Sequence, residues 1–273
     1  MKFDCDGTYF NPLHTLDCGQ IFRFSPYREG FLVNSADKIA YVYTDGVKTV
    51  VESEQTDYFY NFFDMDRDYK KIVDAVSSFD IPLLTRSANA CKGLRILNQN
   101  REEMIYSFII SQNNNIPRIK GIIGRICLSL GKKMSSPFGE YYAFPTSSAL
   151  ADADISMFTS AGAGYRDVYL SETSKRICAE GIAHLESLST RELKEKLLTY
   201  KGIGPKVADC VSLFGFRKTD SFPVDTWIEK VYREDLGGTE QNREKIAKFL
   251  IDTFGENSGY VQQYLFYGKR LNL

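Results

Sequence analysis

A chain of 273 residues with 43% hydrophobic content is long enough to bury one large core or two moderate ones. Its formal net charge of −1 excludes a uniformly basic nucleic-acid binder, and no apolar run reaches the length of a membrane-spanning helix. Met1-Lys2-Phe3-Asp4-Cys5-Asp6 has no basic region followed by an apolar stretch, so a soluble intracellular protein is expected, in cytoplasm or nucleoid if prokaryotic and in the nucleus if eukaryotic.

From about residue 8 to 53 the pattern is strand-like: Gly19 to Phe24, Phe31 to Val33, Ile39 to Tyr43 and Val47 to Val51 are short, β-branched or aromatic, and separated by turn residues. Asp45-Gly46 is a type I′ hairpin signal. By itself, Gly19 reads as a bulge or turn glycine. Tyr58 to Ser78 reads as a helix-forming link capped by Thr56 or Asp57, and the domain change falls between about Ser78 and Leu94. Beyond it the chain looks almost entirely helical. Charge is uneven: Ile116 to Lys133 carries Arg118, Lys120, Arg125, Lys132 and Lys133 with no acid, whereas Glu52 to Asp80 is strongly acidic. That is either a basic face or ordinary solvated charge. Cysteines 5, 18, 91, 127, 178 and 210 are scattered and read as free thiols, and His14 and His184 have no partner pattern.

Glu102 to Gln112 offers Met104, Ile105, Phe108 and Ile109 as an apolar helix side, which Asn113-Asn114-Asn115 stops before Pro117 begins the next helix. A second stop, Ala161-Gly162-Ala163-Gly164, precedes Tyr165-Arg166 and a helix running to about Glu180. Ser189 and Glu192 form a capping-box pair for a helix from about Thr190 to Tyr200. Gly202 and Gly204 break it, and Pro205 opens another helix with Val207, Ala208, Val211 and Phe214 as its buried side. Such a hairpin exposes unpaired N–H groups at the positive end of a helix dipole, an anion site suited to phosphate. Lys206 and Cys210, four apart, project from one face. A lysine at a helix start is disfavoured as an ammonium, so its pKa is expected to fall, as a nucleophilic amine requires. Asp225 reads as the N-cap of a helix carrying Trp227, Ile228 and Val231, or as a carboxylate facing Lys206. In Gly259 to Phe266, Gln262 and Phe266 share a helix face.

Lys201-Gly202-Ile203-Gly204-Pro205-Lys206-Val207-Ala208-Asp209-Cys210, followed by Pro223-Val224-Asp225, resembles the helix-hairpin-helix and catalytic aspartate loop of the HhH-GPD DNA glycosylases, most closely the 8-oxoguanine DNA glycosylase/AP lyases. The match extends in order from Gly19 to Phe266. It implies an α+β fold: an N-terminal antiparallel β-sheet (TBP-like) domain over 1–88, then an all-α helix-hairpin-helix domain over 89–273. It further implies base-excision repair of double-stranded DNA carrying 8-oxoguanine opposite cytosine, by a protein expected to act as a monomer and away from membranes.

On the same resemblance Lys206 is the nucleophile that forms a Schiff base and Asp225 stabilises the sugar cation. The damaged base is held by Gly19, Cys210, Gln262 and Phe266. Asn113 fills the vacated stack, Arg118 and Arg166 contact the opposite base, Tyr165 is a wedge, and Gly202, Gly204, Val207 and Trp227 meet the DNA backbone. No cofactor is required, although the carbonyls of Leu198, Tyr200 and Ile203 are a candidate site for a monovalent or divalent cation. Relatives with an iron–sulfur cluster carry four cysteines near the C-terminus, and none follows Cys210. Trp227 stands where better-known members have a histidine, and Lys269 where they have a supporting aspartate, so the two departures are expected to be coupled. An alkylated-base glycosylase would share the hairpin and Asp225 but usually lacks the lysine; a non-catalytic hairpin DNA-binding protein would need neither.

Overall fold

A computed structural model describes all 273 residues. Strands β1 (Lys2–Asp6), β2 (Phe24–Tyr27), β3 (Gly30–Ser35), β4 (Lys38–Asp45) and β5 (Lys48–Glu52) form one antiparallel sheet in the order β1-β5-β4-β3-β2. The alternation of side chains puts Val33 opposite Ala40 and Val42 opposite Val51 on the face that buries against Phe10, Leu16, Phe59, Phe62 and Phe63. After the sheet the chain is helical apart from one hairpin, β6 (Lys133–Ser136) and β7 (Gly139–Tyr142). The α+β arrangement expected from the sequence, sheet first and helices after, is the one observed. No helix is long and apolar enough to cross a membrane.

Four local expectations are corrected. Gly19 to Phe24 is not a strand: pairing begins only at Phe24, because Gly19 has φ +84° and the Gln20 side chain takes up the surrounding backbone groups. The turn after Asp45 has positive φ at Gly46 alone, the pattern of a type II′ turn rather than I′, with Asp45 already paired to Lys48. The link after the sheet is two helices, Thr56–Phe62 and Tyr69–Ser77, parted at Asp64, whose φ is +55°; Gln55 is the first cap and makes no side-chain cap bond. Strand β1 pairs with β5 at the sheet edge, where half-exposed Phe3 and Cys5 gave only a weak alternation.

Two clusters make up the core, eleven buried residues under the sheet and 55 among the helices, the latter including Tyr69, Val76 and Leu84. Residues 17–23 run along the seam between them. Ile21 points into the sheet's cluster while Cys18 and Phe22 belong to the helical one, so Gly19 is carried to the boundary. Buried Arg95 bolts the seam by donating to the carbonyls of Tyr9, Phe63 and Asp64, its guanidinium 3.9 Å from the Tyr69 ring centre.

Candidate active site

The capping box forms as expected, with Glu192 N–H donating to Ser189 Oγ (3.4 Å) and Ser189 N–H to Glu192 Oε2 (2.9 Å). The helix it starts, Thr190–Leu197, ends three residues before Tyr200, where the chain tightens and Ile203 N–H donates to the Tyr200 carbonyl (3.1 Å). Gly202 has φ +80° and lies so close to Tyr169 that a Cβ would stand 2.5 Å from that ring. Two neighbouring helices grip the hairpin: Gln112 Nε2 donates to the Gly202 carbonyl (2.8 Å) and Thr173 Oγ1 to that of Lys201 (2.9 Å). Gly204 caps the helix Pro205–Phe216 without a side chain and with nothing within 4 Å of where a Cβ would be. The first intrahelical bond there is Ala208 N–H to the Gly204 carbonyl (2.9 Å), so the N–H groups of Lys206 and Val207 have no helical partner and open outward.

Six residues singled out in the sequence, Gly19, Lys206, Cys210, Asp225, Gln262 and Phe266, line one cavity of about 40 Å³. That space admits a few waters and not a nucleobase. The Phe266 ring closes it, one ring carbon lying 3.2 Å from where a Cβ on Gly19 would be, so the space between them widens only when this ring moves off Gly19. Asp225 caps the helix Thr226–Glu234 through Oδ1, which accepts from the N–H groups of Trp227 and Ile228 (both 3.0 Å). Its Oδ2 makes no hydrogen bond within the protein. Asp225 therefore both caps its helix and lines the cavity that Lys206 lines.

The charge state of Lys206 differs from expectation. Burial pushes its ammonium down, but Cys210 and Asp225 facing it push up, and the net direction is upward. Burial pushes the Cys210 thiol up to about 11, so near neutrality it is uncharged, and the negative charge acting on the ammonium there is that of Asp225. Behind them buried Asp209 is pushed up to about 6 by its burial, even though Lys194 Nζ approaches its oxygens at 2.8 and 3.0 Å.

Several supports for this cavity were not visible in the sequence. Gln20, fully buried, donates through Nε2 to the carbonyls of Thr15 (2.9 Å) and Arg95 (2.6 Å) and accepts from Leu97 N–H (2.9 Å), which fixes the loop bearing Gly19. Arg270 donates to the Asp17 carbonyl (2.8 Å), tying that loop to the helix Ser258–Arg270 that supplies Gln262 and Phe266. Phe108 and Phe214, stacked at 5.5 Å, form the floor. Gln263 is a further wall. Only the helical spacing of Phe108 and Phe214 was legible, and it marked them as core.

The residues expected to meet DNA are more dispersed. Asn113 and Arg118 are exposed, Asn113 with φ +44°, and Tyr165 is 53% exposed at the start of the helix Arg166–Glu180. Arg166 is buried, and its guanidinium donates to the carbonyls of Gln112, Asn113 and Ala163. It stands behind the asparagine loop rather than beside Arg118. Trp227 is 39% exposed, two residues beyond Asp225 in the first turn of the helix that Asp225 caps. Lys269 does not support it: Lys269 Nζ pairs with Glu234 (3.0 Å) and Asp235 (2.7 Å) at the far end of the Trp227 helix, so the two departures are not coupled by contact. The carbonyls of Leu198, Tyr200 and Ile203 border an open concavity beside the hairpin, where that of Tyr200 is already engaged by Ile203.

Residues 2–105 match the family model described as 8-oxoguanine DNA glycosylase, N-terminal domain. The chain is 29% identical over 235 residues to a probable N-glycosylase/DNA lyase of Methanothermobacter thermautotrophicus, covering 78% of this chain and 73% of that one. It is 33% identical over 199 residues to the N-glycosylase/DNA lyase OGG1 of Arabidopsis thaliana, of which the match spans about half the length (54%), with 68% of this chain covered. The structure superposes with a TM-score of 0.91 on the Clostridium acetobutylicum 8-oxoguanine glycosylase/lyase in complex with double-stranded DNA containing cytosine opposite 8-oxoguanine, at 36% identity, covering 97% of this chain and 93% of that one.

Proposed function

The chain belongs to the 8-oxoguanine DNA glycosylase/lyase family, and on that premise we propose that it excises 8-oxoguanine from duplex DNA and then nicks the strand through a Schiff base on Lys206. The observation that carries this reading is the meeting of Gly19, from the seam loop, with Lys206, Asp225 and Gln262 on one cavity. A flipped base displaces the Phe266 ring and lies between it and Cys210. The Gly19 carbonyl accepts the N7 hydrogen that normal guanine lacks, and a buried acceptor of this kind rejects the analogue without the donor.

Lys206, once its proton has left, attacks C1′ while the glycosidic bond breaks. The electron pair departs with the base, which takes up a proton, and the Asp225 carboxylate faces the positive charge developing on the sugar. Opening of the sugar leaves an imine between Nζ and C1′; loss of a proton from C2′ then expels the 3′ phosphate. Because the free protein favours the ammonium of Lys206, base release should rise with pH through the neutral range rather than level off at pH 7.

On the DNA side, Asn113 fills the vacated stack, Tyr165 wedges beside it and Arg118 reads the opposite cytosine. Arg166 anchors the asparagine loop in the free protein and joins Arg118 only when DNA draws that loop open. The outward N–H groups at Gly204, Lys206 and Val207 take a backbone phosphate, with the Trp227 indole beside them. The carbonyls of Leu198, Tyr200 and Ile203 would hold a monovalent cation against that phosphate. The protein acts where the cell's DNA lies, nucleoid or nucleus. Release of base from duplexes containing 8-oxoguanine opposite cytosine, undamaged guanine or methylated purines tests the reading. Release from the oxidised duplex alone, followed by strand cleavage, is expected; release of methylated purines alone would overturn it.

A further inference from the structure

Gln263 follows Gln262 on the helix Ser258–Arg270, lines the same cavity and is only 2% exposed. Its Nε2 donates to Gln262 Oε1 (2.9 Å), while its own Oε1 is buried and accepts no hydrogen bond. Gln262 Nε2 is aimed away from its neighbour, toward the Pro223 carbonyl at 3.5 Å. Leaving an amide oxygen buried and unpaired is costly, and such an atom in a binding cavity marks a place that a ligand donor fills.

The two amides together present a specific pattern. Gln262 Oε1 keeps one lone pair after accepting from Gln263, and the unpaired Gln263 Oε1 belongs to the very amide that donates to it, so the two acceptors lie on hydrogen-bonded neighbouring amides. A guanine-type Watson–Crick edge offers two adjacent donors, N1–H and the exocyclic 2-amino group. A purine lacking the 2-amino group offers one. We propose that Gln263 is a specificity-determining residue of the base pocket, fixing the amide of Gln262 by donation and accepting the 2-amino group of the flipped base on its own Oε1. This deepens the reading of the cavity as an 8-oxoguanine pocket and rests on that reading.

The test compares single-turnover base release from duplexes carrying 8-oxoguanine or 8-oxohypoxanthine, which lacks only the 2-amino group, opposite cytosine. Wild type, Gln263→Met and Gln262→Ala are run side by side, with borohydride trapping on a duplex holding a preformed abasic site as the control that leaves the base pocket empty. The wild type should prefer 8-oxoguanine by about tenfold or more, Gln263→Met should shrink that preference to within about twofold, and abasic-site trapping should be unchanged. Gln262→Ala should keep part of the preference, since Gln263 still faces the amine, and this arm stands even if Gln263→Met does not fold. A preference intact in Gln263→Met, a preference abolished in Gln262→Ala, or an equal fall in abasic-site trapping in Gln263→Met would overturn the inference. If the wild type releases neither base but still traps on the abasic site, the 8-oxoguanine reading itself fails and the inference falls with it.

Discussion

At the base pocket every wall belongs to an element packed into the core: the Gly19 loop is pinned by buried Gln20, Lys206 and Cys210 sit on a helix buried along nearly its whole length, and Gln262 is 4% exposed. On the strand-facing side Asn113, Arg118 and Tyr165 stand in solvent, and the one buried member, Arg166, is spent on backbone carbonyls. The first region is assembled before DNA arrives and needs mainly one ring, Phe266, to move. On the proposed function, the second has its residues at hand and takes its working arrangement against a duplex. On that proposal, preorganisation is concentrated where bonds would be broken, and adaptability where a strand would be opened.

Asp225→Asn should sharpen that contrast most. Asparagine caps a helix about as well as aspartate, so the helix should keep its cap, whereas base release should fall by roughly 10²–10³-fold with loss of the facing charge. A base-release rate unchanged in Asp225→Asn would mean that the residue is only a cap. Arg166→Met probes the other region. It strands three loop carbonyls, should cost about 1–3 kcal/mol of stability, and should slow base release from duplex by about tenfold. Trapping on single-stranded abasic DNA, which needs no base to be flipped, should be untouched; a parallel drop there would put Arg166 in the pocket's chemistry instead.

The smallest effect concerns stability alone. Asp209 has its folded pKa raised to about 6 from an ordinary 3.8, so the folded protein binds the proton more tightly than the unfolded chain between those values. Its contribution is present below about 3.8 and lost as pH rises through 6. Asp209→Asn should therefore gain on the wild type steadily as pH rises from about 4 to 8, exceeding it near pH 8 by up to about 3 kcal/mol and near pH 5 by about half of that, read from urea midpoints. A variant less stable at pH 8 than at pH 5, relative to wild type, would show that the pair with Lys194 outweighs the burial.

The same division explains what could be read from the residues alone. The hairpin, the Pro205 helix, the Asp225 cap and the capping box at Ser189 follow from rules acting over three or four residues, and all appear as read. Strand β1 and the hairpin of β6 and β7 were missed because their half-exposed sides carry little alternation and depend on the partner strand. The burial of Arg166 and the partners of Lys269 are set by neighbours brought from distant parts of the chain, and the upward direction at Lys206 depends on Asp225 as well as on Cys210 beside it. The helix dipole predicted one direction for Lys206; Cys210 on its own helix and the Asp225 carboxylate from another reversed it.

The most direct measurement is borohydride trapping on a duplex with a single 8-oxoguanine opposite cytosine, with Lys206→Gln beside the wild type. A covalent complex that forms with the oxidised base, is absent with undamaged guanine, and disappears in Lys206→Gln together with an at least ~10³-fold loss of base release is the predicted result. Base release without any complex, or a complex that persists in Lys206→Gln, would contradict the assignment of Lys206 as the nucleophile.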